Sequence, residues 1–398
     1  MKTKLVGIAL FALTLGTVLY YPSLSARHLI DQSVDNSRTP LVAQKPIVDV
    51  VFVLDTTGSM SGLIDAAKEK IWSIATTMSS AQPTPEIRIG LVGYRDRGDS
   101  YVTRIVNLSS DLDSVYAALM DFQADGGGDG PESVNKALYD AVHQMAWSEA
   151  EQAYQVIFLV GDAPPHMDYQ GEVQYPAILA SAAEKGIVVN TIQCGNMTET
   201  IQPWTQIANL GRGNYFQVDQ AGSAVAMMTP YDEEIAALSA KLDDTRLYYG
   251  TAAEKEKMSG KIAATEKLHE GASLASRAGR GAFNSGEAGM DNFLGENELV
   301  EAVASGSVKL EELDKDELPE ALKPMAPEAQ VAYVAELARE RKELSAKVRE
   351  LADARSDYMK KKVDEAGGAR DSLDQKIYDT VSRQAEVAGL VYEDGPAY

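Results

Sequence analysis

The chain has 398 residues, 45% of them hydrophobic, with 59 acidic against 37 basic side chains and a formal net charge of −22. That length accommodates two or three domains with buried cores. The acidic balance argues against nucleic acid and anionic membrane surfaces, which are held by clustered Lys and Arg, and suits cations or basic surfaces. The single cysteine, Cys194, excludes an intramolecular disulfide, a cysteine-rich zinc site and a CxxC redox centre. Within its apolar run it reads as a buried small hydrophobe.

Lys2 and Lys4, an apolar run over about 5–20, and then Ser23 and Ser25 form the pattern of a secretory signal peptide over residues 1–25. The run is short for a spanning helix, so an uncleaved signal anchor is the alternative and the one route to membrane contact. An exported protein is expected, in the periplasm, at the cell envelope or secreted. Residues 26–46 are polar and read as a linker.

IVDVVFVLD (47–55) is a nearly continuous Val-rich run, as expected of a central strand covered on both faces. Leu63, Ala67, Ile71, Ile74 and Met78 then recur at helical spacing. EIRIGLVGY (86–94) and YVTRIVNL (101–108) follow as two strands joined by RDRGDS, a hairpin that predicts an antiparallel edge strand. Helices are predicted over LDSVYAALMDF and SVNKALYDAVHQMAW. YQVIFLVGD (154–162), IVVNTIQCG and NYFQVD are predicted strands separated by the helices YPAILASAAEKG and TIQPWTQIANLG. Strands alternating with helices of this length predict an α/β fold: a doubly wound, mostly parallel six-stranded sheet with one antiparallel edge strand, over 47–230.

Beyond it the chain reads as mainly α-helical. Residues 231–269 form a helical segment, and 270–290, rich in glycine and small residues, read as a flexible linker. Residues 291–398 are a helical C-terminal region. Over 327–363, Val334, Leu337, Leu344, Val348, Leu351 and Tyr358 fall on heptad a and d positions, but Arg341 and Arg355 interrupt two a positions. That disfavours a long dimeric coiled coil and favours a helical hairpin packed on itself or on the α/β domain.

In doubly wound sheets ligands gather beyond the carboxyl ends of the strands. The first strand ends in DTTGSMS, which puts Asp55, Thr57 and Ser59 at alternate positions, and the fourth delivers Asp162. Between them ADGGGDGPES (124–133) brings Asp129 and Glu132 to the start of a helix. Carboxylates converging without a basic partner repel one another by about 4 kcal/mol per pair at 4 Å and an effective dielectric near 20, so a cation is expected among them. An all-oxygen shell suits Mg²⁺, with Mn²⁺ or Ca²⁺ as alternatives.

DTTGSMS after a buried strand, with Asp162 closing the fourth, resembles the D-x-S/T-x-S motif and third metal loop of von Willebrand factor type A domains. The resemblance covers about 47–230. YRDRGDSYVT, FLVGDAPPHMDY and the tail ELPEALKPMAPEAQVAY are similar to the bacterial, exported branch of that family. The resemblance implies a metal-ion-dependent adhesion site of Asp55, Thr57, Ser59, a second-loop residue and Asp162. It also implies a protein partner that offers a carboxylate to the metal. The departure is in the second loop, where the family commonly has threonine: Asp129 is the best substitute by position, with Glu132 and Ser133 as runners-up. The implied function is cation-dependent protein binding, not catalysis. A metal-dependent hydrolase using Glu132 or His166 as base is the first rival, and a scaffold with a vestigial metal site the second. GxSxG, HExxH, the P-loop and the Rossmann fingerprint are absent. Arg97-Gly98-Asp99, between two strands, reads as a structural turn.

Overall fold

The computed structural model describes residues 45–398 apart from 129, 151, 221–226, 366, 367, 369–371, 394 and 398. The signal segment 1–25, all but the last two residues of the 26–46 linker, and Asp129 lie outside the described residues.

Six strands form one sheet: β1 (Ile47–Asp55), β2 (Glu86–Tyr94), β3 (Thr103–Ser109), β4 (Tyr154–Gly161), β5 (Val188–Cys194) and β6 (Arg212–Val218). The order is β3-β2-β1-β4-β5-β6, with β3 antiparallel to β2 and every other pair parallel. Val48, Val50, Phe52 and Leu54 of β1 face one core, while Val51 and Val53 face the other. This is why the run is apolar at successive positions: a strand buried on both faces has no polar side. The chain winds outward from β1 in one direction and from β4 in the other. The crevice between their carboxyl ends is therefore the topological switch point.

Helices α1 (Ser61–Ser79) and α2 (Leu112–Met120) cover one face, through Ile71, Trp72, Val115 and Tyr116 among others. The opposite face is covered by α3 (Val134–His143), α4 (Tyr175–Glu184) and α5 (Thr198–Leu210), with Leu138, Ile178 and Trp204 as their principal buried contributions. Beyond β6 come α6 (Asp232–Asp244), α7 (Ala252–Gly271), α8 (Leu274–Ser285), α9 (Gly289–Leu294), α10 (Leu299–Ala304), α11 (Pro327–Glu365) and α12 (Leu373–Gln384). Among the described residues no helix is long and apolar enough to cross a membrane.

The boundary expected at residue 230 does not bound the core. Leu373, Ile377, Val381 and Leu390, from the end of the chain, are buried in the same cluster as β1 and α1. Gln82 and Val391 exchange backbone hydrogen bonds of 2.8 and 3.1 Å, and Gln384 pairs its amide with that of Asn190 on β5. Residues 45–398 consequently form one unit.

The expected flexible linker over 270–290 is also corrected, because residues 274–285 are helix α8. Its small residues are there for close packing. A Cβ on Gly281 would lie 2.9 Å from Ile235 Cγ2 and 3.1 Å from Ser239 Cβ on α6, and one on Gly279 would lie 3.2 Å from Trp72 Cβ on α1. Gly281→Val is therefore expected to cost about 1–3 kcal/mol in urea unfolding. Gly260→Ala in α7, where a Cβ meets nothing within 4 Å, should be neutral or stabilising by up to about 1 kcal/mol.

The two arginines that interrupt the heptad are intramolecular ties. Arg341 makes a two-bond pair with Glu298, at 2.8 and 2.9 Å, and reaches the Thr245 carbonyl at 2.8 Å. Arg355 bonds Asp232 at 2.8 Å. Helix α11 thus lays its a/d stripe against α6, α8 and α10 of its own chain.

Candidate metal centre

Asp55 is the last residue of β1 and fully buried. The Thr57 backbone N–H and hydroxyl both donate to Asp55 Oδ1, at 2.9 and 2.6 Å, and Thr57 Oγ1 stands 3.4 Å from Ser59 Oγ. The loop is held under β2 by the Thr56 N–H and hydroxyl, each 2.8 Å from the Tyr94 carbonyl. A short turn, Gly58–Met60, then leads directly into α1. Asp55 Oδ2 has no hydrogen-bond partner.

The glycine stretch folds onto this loop. Asp125 N–H donates to the Thr56 carbonyl at 3.1 Å, and Gly58 N–H to the Gly126 carbonyl at 3.2 Å. Gly126 and Gly127 have φ of 78° and 82°. A Cβ on Gly126 would sit 2.3 Å from Asp99 Oδ1, and one on Gly127 would lie 3.3 Å from Thr57 Cβ and 3.6 Å from Glu132 Oε1. Left-handed backbone and close approach together require glycine here.

Glu132, next to α3, is buried with Oε2 unpartnered. Its backbone ties the second loop to the third: Glu132 N–H donates to the Pro164 carbonyl at 2.9 Å, and His166 N–H to the Glu132 carbonyl at 3.0 Å. Ser133 is committed elsewhere, since its hydroxyl donates to Asp96 Oδ1 at 2.9 Å.

Asp162 follows β4. Gln220 Nε2 donates to its Oδ2 at 2.7 Å, and the Thr200 hydroxyl donates to its backbone carbonyl at 2.8 Å. Gly161, just before it, leaves room for two neighbours, as a Cβ there would lie 2.4 Å from the Tyr94 hydroxyl and 3.1 Å from Asp55 Oδ2. His166 is buried beside the site, with Nδ1 2.8 Å from Asp168 Oδ1, Nε2 3.4 Å from Asp96 Oδ2 and its ring stacked on Tyr169.

Arg97-Gly98-Asp99 is structural, as expected. The Arg97 guanidinium lies 3.9 Å from the centre of the Tyr169 ring and 3.7 Å from Glu172. The Asp99 carboxylate accepts from Gly127 N–H at 3.2 Å and Asp96 N–H at 3.2 Å. The tripeptide braces the glycine loop.

The electrostatics of the centre are those of carboxylates short of positive charge. Burial pushes Asp55 up to about 7; the Thr57 hydrogen bonds oppose this and the Asp162 charge adds to it. Burial, with the charges of Asp55, Asp96, Asp99 and Asp162, pushes Glu132 up to about 9. The Tyr94 hydroxyl is raised by burial and the same carboxylates, and it is also unpartnered. Three buried oxygens without partners, Asp55 Oδ2, Glu132 Oε2 and Tyr94 Oη, thus stand at one switch point. Orphaned buried polar atoms are costly and mark a missing ion or water. A hard divalent cation fits this donor set, which has oxygen ligands alone. Among the described residues no three His, Cys, Asp or Glu side chains are grouped as a ready cage; the set here draws on two hydroxyls as well.

Sequence reasoning brought Asp55, Thr57, Ser59 and Asp162 to this rim and ranked Asp129, which lies outside the described residues, above Glu132. It missed Tyr94 and Gln220. Tyr94 is paired in register with Asp55, so counting both strands to their carboxyl ends would have found it.

A family model for the von Willebrand factor A domain matches residues 49–229. Similar curated proteins include an ariadne-like RING finger protein of Acanthamoeba polyphaga mimivirus (29% identity over 30% of this chain and 11% of that protein). An alpha-protein kinase of Dictyostelium discoideum shares 28% identity over 30% of this chain and 19% of its own length. The von Willebrand factor A domain-containing protein 7 of Mus musculus shares 35% over 33% and 14%. The matches thus span less than a fifth of each relative. Among solved structures, the SpRpn10 VWA domain aligns at 15% identity and a TM-score of 0.34, over 44% of this chain and 89% of that one. Proximal thread matrix protein 1 from the mussel byssus, with a zinc-occupied MIDAS motif, aligns at 14% and 0.33, over 44% and 42%. Residues 49–229 of this chain are a von Willebrand factor A domain.

Proposed function

We propose that the domain is a divalent-cation-dependent protein-binding module whose ion is held by Asp55, Thr57, Ser59, Glu132 and Asp162. Mg²⁺ is the first choice, with Mn²⁺ or Ca²⁺ as alternatives. The observation that carries the reading is the convergence of buried, unpartnered carboxylate oxygens from the first and second loops. Von Willebrand factor A domains are generally interaction modules, and a bound ion would offer a partner oxygen an electrophilic position at the rim. Gln220, which holds Asp162 through an amide N–H, would share that carboxylate with the ion. A hydrolase would need a base to take a proton from water. Glu132 is assigned to the ion, and His166 is engaged by Asp96 and Asp168. The N-terminal signal pattern adds the proposal that the module works outside the cytoplasm.

The second-loop assignment is tested by calorimetric Mg²⁺ titration of three variants. Glu132→Gln should weaken binding by about tenfold or more, while Asp129→Asn should change it by less than about threefold. Ser133→Ala should lower stability through the loss of the Asp96 bond and leave affinity near wild type. A large effect at Asp129 with none at Glu132 would restore the ranking by loop position.

A further inference from the structure

We infer that Tyr94 is a positioning residue of the cation site: its buried phenol holds a water against the Asp55 carboxylate and so favours an ion that keeps part of its hydration, Mg²⁺, over Ca²⁺. The inference rests on the proposed cation site and specifies how that site chooses its ion.

The place of the hydroxyl carries it. Tyr94 closes β2 in register with Asp55, which closes β1. Its carbonyl holds the Thr56 N–H and hydroxyl, and its ring is locked into the core shared with α3, α4 and α5. The hydroxyl therefore has a fixed position, fully buried, yet it has no hydrogen-bond partner. It and Asp55 Oδ2 converge on the open side of Gly161, where an added Cβ would lie 2.4 Å from the one and 3.1 Å from the other. Each is an orphan although the other stands close by. A third orphan, Glu132 Oε2, belongs to a carboxyl group near enough for the Asp55 charge to raise it. Polar atoms that approach the same point without bonding call for a water between them, and a buried water needs about two to four such partners.

The chemistry of a phenol decides what it does there. At neutral pH it is a proton donor, and a neutral phenol is a weaker ligand for a hard dication than the carboxylates beside it. Its proton has to be given to an oxygen, and a water shared with Asp55 Oδ2 is the acceptor that the geometry offers. Mg²⁺ gives up its waters reluctantly and is held by few carboxylates, whereas Ca²⁺ takes about six to eight oxygens in flexible arrangements. A donor that fixes one water beside Asp55 therefore favours Mg²⁺ and gives little to Ca²⁺. Outer hydrogen bonds of this kind change metal affinity by about 10–100-fold.

The test titrates MgCl₂ and CaCl₂ separately into the full chain by calorimetry and follows thermal melts without metal. Tyr94→Phe should lower Mg²⁺ affinity about tenfold and Ca²⁺ affinity by less than about threefold. Without metal it should melt no lower than wild type, because the change removes an orphaned hydroxyl and leaves the packing of the ring. Tyr248→Phe deletes another buried, unpartnered hydroxyl, one between α6 and α7, and should leave both affinities within about twofold of wild type. Equal losses for both ions, a loss paired with a lower metal-free melting temperature, or unchanged Mg²⁺ affinity would overturn the role of Tyr94. A wild type that takes up neither ion would overturn the cation site itself, and this role with it, so the wild-type titration tells the two failures apart.

Discussion

Asp55→Ala is expected to abolish Mg²⁺ uptake by the full chain, lowering affinity by more than about 100-fold in a calorimetric titration. Asp55 lies deepest in the centre, with one oxygen fixed by Thr57 and the other unpartnered, so no neighbour can replace it. The same residue predicts a pH dependence. In the metal-free protein the folded carboxyl groups of Asp55 and Glu132 hold their protons up to about 7 and about 9, against model values of 3.8 and 4.5. Between those limits the folded state binds more protons than the unfolded state. Metal-free stability therefore falls as pH rises from about 4 toward 9. Mg²⁺ reverses the trend, because it binds the ionised groups and displaces their protons; its affinity should drop as pH falls below about 9 and more steeply below about 7. Asp55→Asn should be more stable than wild type at pH 8 without Mg²⁺ and gain nothing when Mg²⁺ is added. Thermal melts across pH with and without Mg²⁺ read all of this.

Arg280→Met is expected to destabilise the chain by about 3–5 kcal/mol in urea unfolding at pH 7. Arg280 is fully buried and pairs with two carboxylates from different parts of the fold: Asp113 on α2, at 2.6 and 2.8 Å, and Asp243 on α6, at 2.7 and 3.0 Å. Lys261 adds a contact of 3.4 Å to Asp113. Removing the guanidinium leaves two buried carboxylates short of their main counter-charge, which costs more than the pair contributes when intact. Burial pushes both acids up, but Arg280 and its cationic neighbours outweigh it. Asp113 is held far below the usual range and Asp243 at about 2. A carboxylate with a depressed folded value stabilises above its unfolded value and loses that contribution as pH falls through the folded one. The gap between wild type and Arg280→Met should therefore shrink from about pH 4 downward. Adding Asp113→Asn to Arg280→Met should recover part of the loss. An unchanged midpoint in the single variant would remove the network as the clamp between the sheet domain and the C-terminal helices.

The centre of the sheet was legible because β1 and β4 are buried on both faces and so read as nearly continuous apolar runs, a pattern that survives without knowledge of partners. Asp55 and Asp162 were legible for the same reason, since each closes such a run. Glu132 was harder. Whether the second loop aims residue 129 or 132 at Asp55 depends on the turn made by Gly126 and Gly127 and on the backbone bonds of Glu132 to Pro164 and His166, and these bonds join segments some thirty residues apart. Glycine in α8 sends the same compositional signal as a linker; only Ile235, Ser239 and Trp72 pressed against it reveal that the missing side chains make room for a neighbour. Arg341 and Arg355 read as faults in a heptad because their partners, Glu298, Thr245 and Asp232, are remote in sequence. The return of α12 to the first core left no local trace beyond an ordinary amphipathic pattern.

The central claim is that Asp55, Thr57, Ser59, Glu132 and Asp162 share one divalent ion. Crystals of the full chain grown with Mn²⁺ and measured at an anomalous wavelength test it most directly. The account predicts one anomalous peak beyond the carboxyl ends of β1 and β4, about 2.1 Å from Thr57 Oγ1, Ser59 Oγ and a Glu132 carboxylate oxygen, with Asp55 and Asp162 bound directly or through water. A peak elsewhere on the chain, or none here with Asp55 Oδ2 and Glu132 Oε2 still unpartnered, would contradict it.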